Sequence, residues 1–199
     1  MPLGANKAAI MGVAGTGVSA SVVLLNEGAF TNQTAVSFTS TLTSTYKQYI
    51  FAFYSIAPAT NNTNLTFQVN ATDDDGGDYD QSQLQTNHWR FYNAEADGGD
   101  HSYRADGDQA NGTAFQMLTA GIGSGADESA SGIMYLFDPA STTYVKHFIS
   151  EFSVYQQSDY NYSNRVAGYI NDTTAIDDIQ FKMSDGGQFD GEIKIWGVL

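Results

Sequence analysis

From residue 21 onward, apolar and polar residues alternate in short runs broken by turns. Ser21-Val22-Val23-Leu24-Leu25 is a β-branched run and Ala35-Val36-Ser37-Phe38-Thr39 alternates, as strands with one buried face do. Residues 47–56 place Tyr49, Phe51 and Phe53 on one face and Ile50, Tyr54 and Ile56 on the other. That predicts a central strand covered on both sides and stopped by Pro58. Leu65, Phe67 and Val69 alternate with Thr66, Gln68 and Asn70, which predicts a half-buried strand. Further strands are expected around 88–92, 132–137, 144–155, 166–170, 176–183 and 189–198. In the last, Ile193 and Ile195 face the core and Trp196 shares the other face with Glu192 and Lys194. Residues 94–112, rich in Gly, Asp and Asn, read as a long loop. Residues 113–120 fit either a short helix or an edge strand.

No segment holds a helical period of 3.6 over three turns. Asp-Gly and Asn-Gly pairs recur at Asp75-Gly76, Asp97-Gly98, Asp106-Gly107, Asn111-Gly112, Asp185-Gly186 and Asp190-Gly191, the residue types that tight β connections require. About ten short strands punctuated in this way predict an all-β fold, a single antiparallel β-sandwich of jelly-roll-like type spanning residues 21–199. Residues 1–20 are rich in Gly, Ala and Ser and have too few large side chains to fold alone. They read as a floppy terminus or as an extended arm that orders against a neighbour, with Ile10, Met11 and Val13 as its interface residues.

Composition then narrows the function. The chain has 199 residues, enough for one core, and a formal charge of −14 from 22 acidic and 8 basic residues. Only five acids are glutamates, and aspartate favours turns, so the acidity belongs to the connections. A negative surface without a basic run disfavours nucleic acid and anionic membranes as partners. The absence of cysteine removes disulfides, thiolate metal sites and cysteine nucleophiles. No run reaches the roughly 20 apolar residues that span a bilayer, and the N-terminus lacks a secretory apolar region, so synthesis in the cytoplasm is expected.

The chemistry-bearing candidates are few. Asp73, Asp75 and Asp78 in the acidic run 73–80 are candidate Ca²⁺ ligands, against the alternative of a solvated turn. Glu151 is the best candidate for a glycosidase acid, a role that needs a second carboxyl about 5–9.5 Å away; on an alternating strand between Phe148 and Phe152 it is expected to face solvent instead. His88, His101 and His147 lack metal-ligand spacing, and Gly12-Val13-Ala14-Gly15-Thr16-Gly17 lacks the Lys-Ser/Thr of a phosphate loop. Tyr155, Tyr160 and Tyr162, interleaved with amides and an acid, are ligand-binding candidates for a saccharide, against ordinary cross-strand packing. Trp196 is a candidate inter-subunit anchor. No catalytic residue and no cofactor is expected.

Several segments together resemble a known family. They are Tyr46-Lys47-Gln48-Tyr49-Ile50-Phe51-Ala52-Phe53, Leu65-Thr66-Phe67-Gln68-Val69, Asp138-Pro139-Ala140-Ser141-Thr142-Thr143, Ile176-Asp177-Asp178-Ile179-Gln180-Phe181 and Phe189-Asp190-Gly191-Glu192-Ile193-Lys194-Ile195-Trp196-Gly197-Val198, with Gly4-Ala5-Asn6-Lys7-Ala8-Ala9. The chain resembles small virion proteins of tailed, mainly marine, bacteriophages. The resemblance implies a particle protein with a β-sandwich body and carries no catalytic motif. The expectation is a non-enzymatic virion structural protein, a capsid decoration or appendage subunit, assembled as a homo-oligomer such as a trimer with other virion proteins as partners. The alternative is a tail-fibre tip domain that binds a host surface glycan as its receptor.

Overall fold

A computed structural model describes residues 21–74 and 77–199. The proposed arm of residues 1–20, with Ile10, Met11 and Val13, lies outside the described residues, as does Asp75. Among the described residues thirteen strands, all paired antiparallel, make up the regular structure: β1 (Val22–Gln33), β2 (Ala35–Phe38), β3 (Gln48–Pro58), β4 (Leu65–Ala71), β5 (Leu84–Ala94), β6 (Gly99–Tyr103), β7 (Ala110–Gly112), β8 (Gln116–Met117), β9 (Ala130–Phe137), β10 (Lys146–Gln156), β11 (Tyr160–Ile170), β12 (Ile176–Met183) and β13 (Phe189–Val198). No helix occurs among the described residues.

The strands form two open sheets. The larger runs β1-β13-β3-β9-β10-β11-β5-β6, with β7 also on β5; the smaller runs β2-β12-β4-β8. Their inner faces meet across an aromatic core. Phe181 of β12 lies 5.7 Å from Phe51 and 5.0 Å from Phe53 of β3, and Phe67 of β4 lies 4.9 Å from Phe148 of β10. Along β10 buried and exposed residues alternate almost without break, as a strand with one face on a core should.

Three expectations need correction. β3 is central in its sheet but covered on one face only: Tyr49, Phe51 and Phe53 are buried, whereas Tyr54 is 43% exposed. A register shift between Phe53 and Ile56, with Ser55 at φ 49, turns Ile56 round to the core face. β4, expected to be half buried, is buried throughout. Its polar side chains bond inward, Thr66 Oγ1 donating to the Lys182 carbonyl (2.8 Å) and Gln68 Nε2 to the Ser82 (3.1 Å) and Thr113 (2.9 Å) carbonyls. Residues 94–112 are not a single loop, because β6 and β7 lie within them. Asp97 (φ 68) and Gly98 (φ 108) make the tight β5–β6 turn that both residues' positive φ permits. Of the two options for residues 113–120, the edge strand forms, as β8.

Candidate binding surfaces at the β10–β11 end

Because strand residues alternate between faces, the aromatic run Tyr155–Tyr162 is divided between the two sides of the large sheet. Tyr160 and Tyr162 stand on the inner face beside Tyr92 of β5, with ring centroids 5.5 Å (Tyr92–Tyr160), 6.0 Å (Tyr92–Tyr162) and 5.9 Å (Tyr160–Tyr162) apart. Tyr155 stands on the outer face. It lines a cavity of about 440 Å³ with Glu95, Asp127, Ser129, Ser131, Ser153 and Asn161, and Tyr160 also reaches it. The charge of Glu95, then burial, then Asp159 push the Tyr155 hydroxyl up to about 12. This cavity is acidic and rich in hydroxyls, suited to a neutral polyol rather than to an anion.

A second cavity, about 310 Å³, opens on the inner side, where the β3–β4 and β8–β9 connections approach β5 and β11. Arg90, Arg104, Tyr162, Asn62, Asn64 and Gln156 line it. The β10–β11 hairpin thus separates two cavities of opposite charge. The basic residues that look scattered in sequence are partly gathered here by strand pairing.

A further aromatic group on the outer face of β5 and β6 was not singled out from sequence. Trp89, Phe91 and Tyr103 are 41%, 48% and 45% exposed. Trp89 lies 5.4 Å from Tyr103, and Phe91 stacks on His101 at 5.9 Å and 19°. The available signal was Trp89 and Phe91 at i and i+2 between Asn87 and Asn93, two aromatics on an otherwise polar strand face. Such flat exposed aromatics can stack on the apolar faces of sugars or on a partner protein.

The outer face also carries an uncharged band across six strands. Paired neighbours in order are Leu24, Trp196, Ile50, Tyr135, Ile149 and Ala167. Val22, Val198, Phe137 and Tyr169 extend it on one side. Val22, Leu24 and Ile149 are 50%, 45% and 38% exposed. Trp196 is half-buried within the band, on the face opposite the buried Ile193 and Ile195. Beside the band this face carries Glu27, Lys194, Glu192, Glu151 and Arg165, with Lys194 Nζ 3.3 Å from Glu192 and 3.7 Å from Glu27.

The acidic candidates fall differently from their sequence grouping. Asp73 meets Asp74 and Asp172, with carboxylate oxygens within 4.8 Å of one another; Asp78 is exposed and outside this group. Hydrogen bonds already occupy the cluster. Asp74 accepts from the Ala71 N–H (3.0 Å) and Ser82 Oγ (2.9 Å), Asp73 from Thr174 Oγ1 (3.0 Å), and Asp172 from the Thr174 N–H (2.6 Å). Close by, the fully buried Lys146 donates to the Asp172 carbonyl at 3.0 Å and to that of Thr174. Burial pushes its ammonium below the usual lysine value, against the opposing pull of Asp172, Asp138 and Asp73. Glu151 is exposed, as the alternation requires, and its β11 partner is Arg165, not a second acid. His88 is buried, and its Nε2 lies 3.0 Å from Asn164 Oδ1; His101 and His147 are exposed.

No helix is long and apolar enough to cross a membrane among the described residues. Comparison of the chain with protein-family models, with curated proteins and with solved structures gives no match.

Proposed function

We propose that this chain is a non-enzymatic structural protein of a bacteriophage virion, displayed on the particle surface as a decoration or appendage subunit. The particle context rests on the resemblance of its segments to small virion proteins. A jelly-roll-like body and attachment to neighbours through residues 1–20 belong to the same proposal. The observation that carries the assembly role is the uncharged band on the outer sheet face. Its occupant is a second copy of the chain. In a protein of net charge −14, the band itself is uncharged and Lys194 lies within 3.7 Å of the flanking acids Glu192 and Glu27, so two copies that meet on the band bring less like charge together than other approaches would.

Sedimentation of the purified chain tests the assembly role: a defined oligomer is expected, and a monomer at tens of micromolar overturns it. The particle role is tested by analysing the proteins of purified virions, in which the chain should be present in many copies; its absence there rejects that role.

A second reading, a receptor-binding tip, is favoured by the exposed Trp89–Phe91–Tyr103 group beside the tyrosine hairpin. A glycan array separates the two, because a decoration subunit shows no saccharide preference.

A further inference from the structure

The cavity between the sheets is basic in an acidic protein. It holds two of the chain's three arginines, and they are not equivalent. Arg104 is neutralised locally: its Nε bonds to Asp106 Oδ1 at 2.7 Å and its terminal nitrogen to the other carboxylate oxygen. Arg90 has no carboxylate partner among the described residues, and its buried Nε has no hydrogen-bond partner. Tyrosine faces hold it instead, with the guanidinium carbon 4.6 Å from the Tyr162 ring centroid and 5.7 Å from that of Tyr92. A guanidinium stacked on aromatic rings keeps its in-plane N–H edge for a planar acceptor.

The neighbouring amides add unspent donors. Gln156 Oε1 accepts from the Ser158 N–H at 2.8 Å, which leaves its Nε2 without a partner among the described residues. Asn64 is engaged, its Oδ1 accepting from the Gly121 N–H at 2.6 Å and its Nδ2 donating to Ser184 Oγ (3.5 Å) and Met117 Sδ (3.7 Å). Asn62 gives its backbone N–H to the Ile122 carbonyl (2.9 Å), and its side-chain amide has no partner among the described residues. The walls are almost wholly polar, which excludes an apolar ligand. One uncompensated cation matches a single negative charge; a phosphate dianion would need more.

We propose that this cavity binds a carboxylate-bearing saccharide. The Arg90 guanidinium takes the carboxylate through paired N–H bonds, the amides of Asn62 and Gln156 take ring hydroxyls, and the Tyr162 ring beneath the guanidinium holds it in place. The volume falls at the lower end of the range of about 300–1,000 Å³ usual for small-molecule sites, enough for one or two sugar units. The inference goes beyond the assembly role and does not depend on it.

Calorimetric titration of the full chain with galacturonate, with neutral galactose and with inorganic phosphate tests it. Galacturonate, which carries one carboxylate, is expected to bind saturably at millimolar or lower concentration, with galactose and phosphate at least tenfold weaker. Arg90→Gln should weaken galacturonate at least tenfold, and Asn62→Asp, which sets a carboxylate at an exposed rim position, should do the same. Arg165→Gln, on the outer face, should leave binding unchanged. Thermal unfolding of each variant separates lost binding from lost folding. Equal binding of galactose, tighter binding of phosphate, retained affinity in a folded Arg90→Gln or Asn62→Asp, or no saturable binding of galacturonate would overturn the proposal. Binding of neutral glycans that survives Arg90→Gln would instead belong to the outer aromatic group and leave the receptor-binding reading standing.

Discussion

At Gly132 the chain needs a residue with no side chain. Gly132 pairs with Phe53 on one side and Phe152 on the other, and those two rings close over it at 5.0 Å. A Cβ there would come within 2.5 Å of the Phe152 ring and of the Glu151 carbonyl oxygen. Gly132→Ala should therefore overpack the core and cost about 1–3 kcal/mol, read as a lower denaturant midpoint with unchanged slope. Phe181 poses the opposite case: it touches Phe38, Phe51, Phe53 and Phe67, so Phe181→Ala leaves a void and should cost about 3–5 kcal/mol. His88 gives a pH test. Burial, the main cause, holds its folded-state value below the ordinary 6.5, against the hydrogen bond with Asn164. The unfolded chain then binds the proton more readily, so stability is full above about pH 6.5 and falls as pH drops through the folded value. The melting temperature of His88→Gln should decline less than that of the parent between pH 7 and 5; parallel curves would reject the assignment.

At the level of elements, β3 and β4 exchange the burial that their sequences suggest. β3 is apolar on both faces yet half exposed, because its outer residues Ile50 and Tyr54 belong to the face that no second layer covers among the described residues. β4 alternates yet is wholly buried, because the segments around Ser82 and Thr113 lie over its polar face and accept hydrogen bonds from Gln68. Such bonds make burial of polar groups tolerable. The β5–β6 hairpin depends more on its turn than on packing, since β6 is mostly exposed. At Gly98, with φ 108, a β-branched side chain is strained by about 1–2 kcal/mol. Gly98→Val should speed amide hydrogen exchange in β6 and at the β5 edge while leaving β10 and β11 protected.

At the scale of the whole molecule, an uncharged band crosses the outer sheet face, and the acidic cavity with Glu95 and Asp127 lies at the β10–β11 end of that face. Self-association through that face should respond to a single exposed substitution. Ile149→Lys, at a solvent-facing position of β10, is expected to convert the oligomer to monomer without altering the circular dichroism spectrum, as sedimentation would register. Salt should strengthen association of the parent chain by screening the net charge of −14; dissociation on raising salt would argue for an interface made of ion pairs instead.

The all-β class, most strand positions, the inward set of β10 and the outward Glu151 were legible from sequence, because a period of two and Asp-Gly turns act over a few residues and need no distant partner. The face of β3 that stays bare, the burial of β4, and the strands within 94–112 were decided by the tertiary structure, since coverage of a face depends on which remote segment lies over it. The same holds for the candidate sites. Tyr155, Tyr160 and Tyr162 stand in the sequence as one aromatic run, and the separation of Tyr155 from the other two follows from the pleat. Arg90 and Arg104 come to one cavity through the pairing of β5 with its neighbours and the return of the chain after β6. Local periodicity fixes which residues share a side of a strand; only the packing of layers fixes what that side meets.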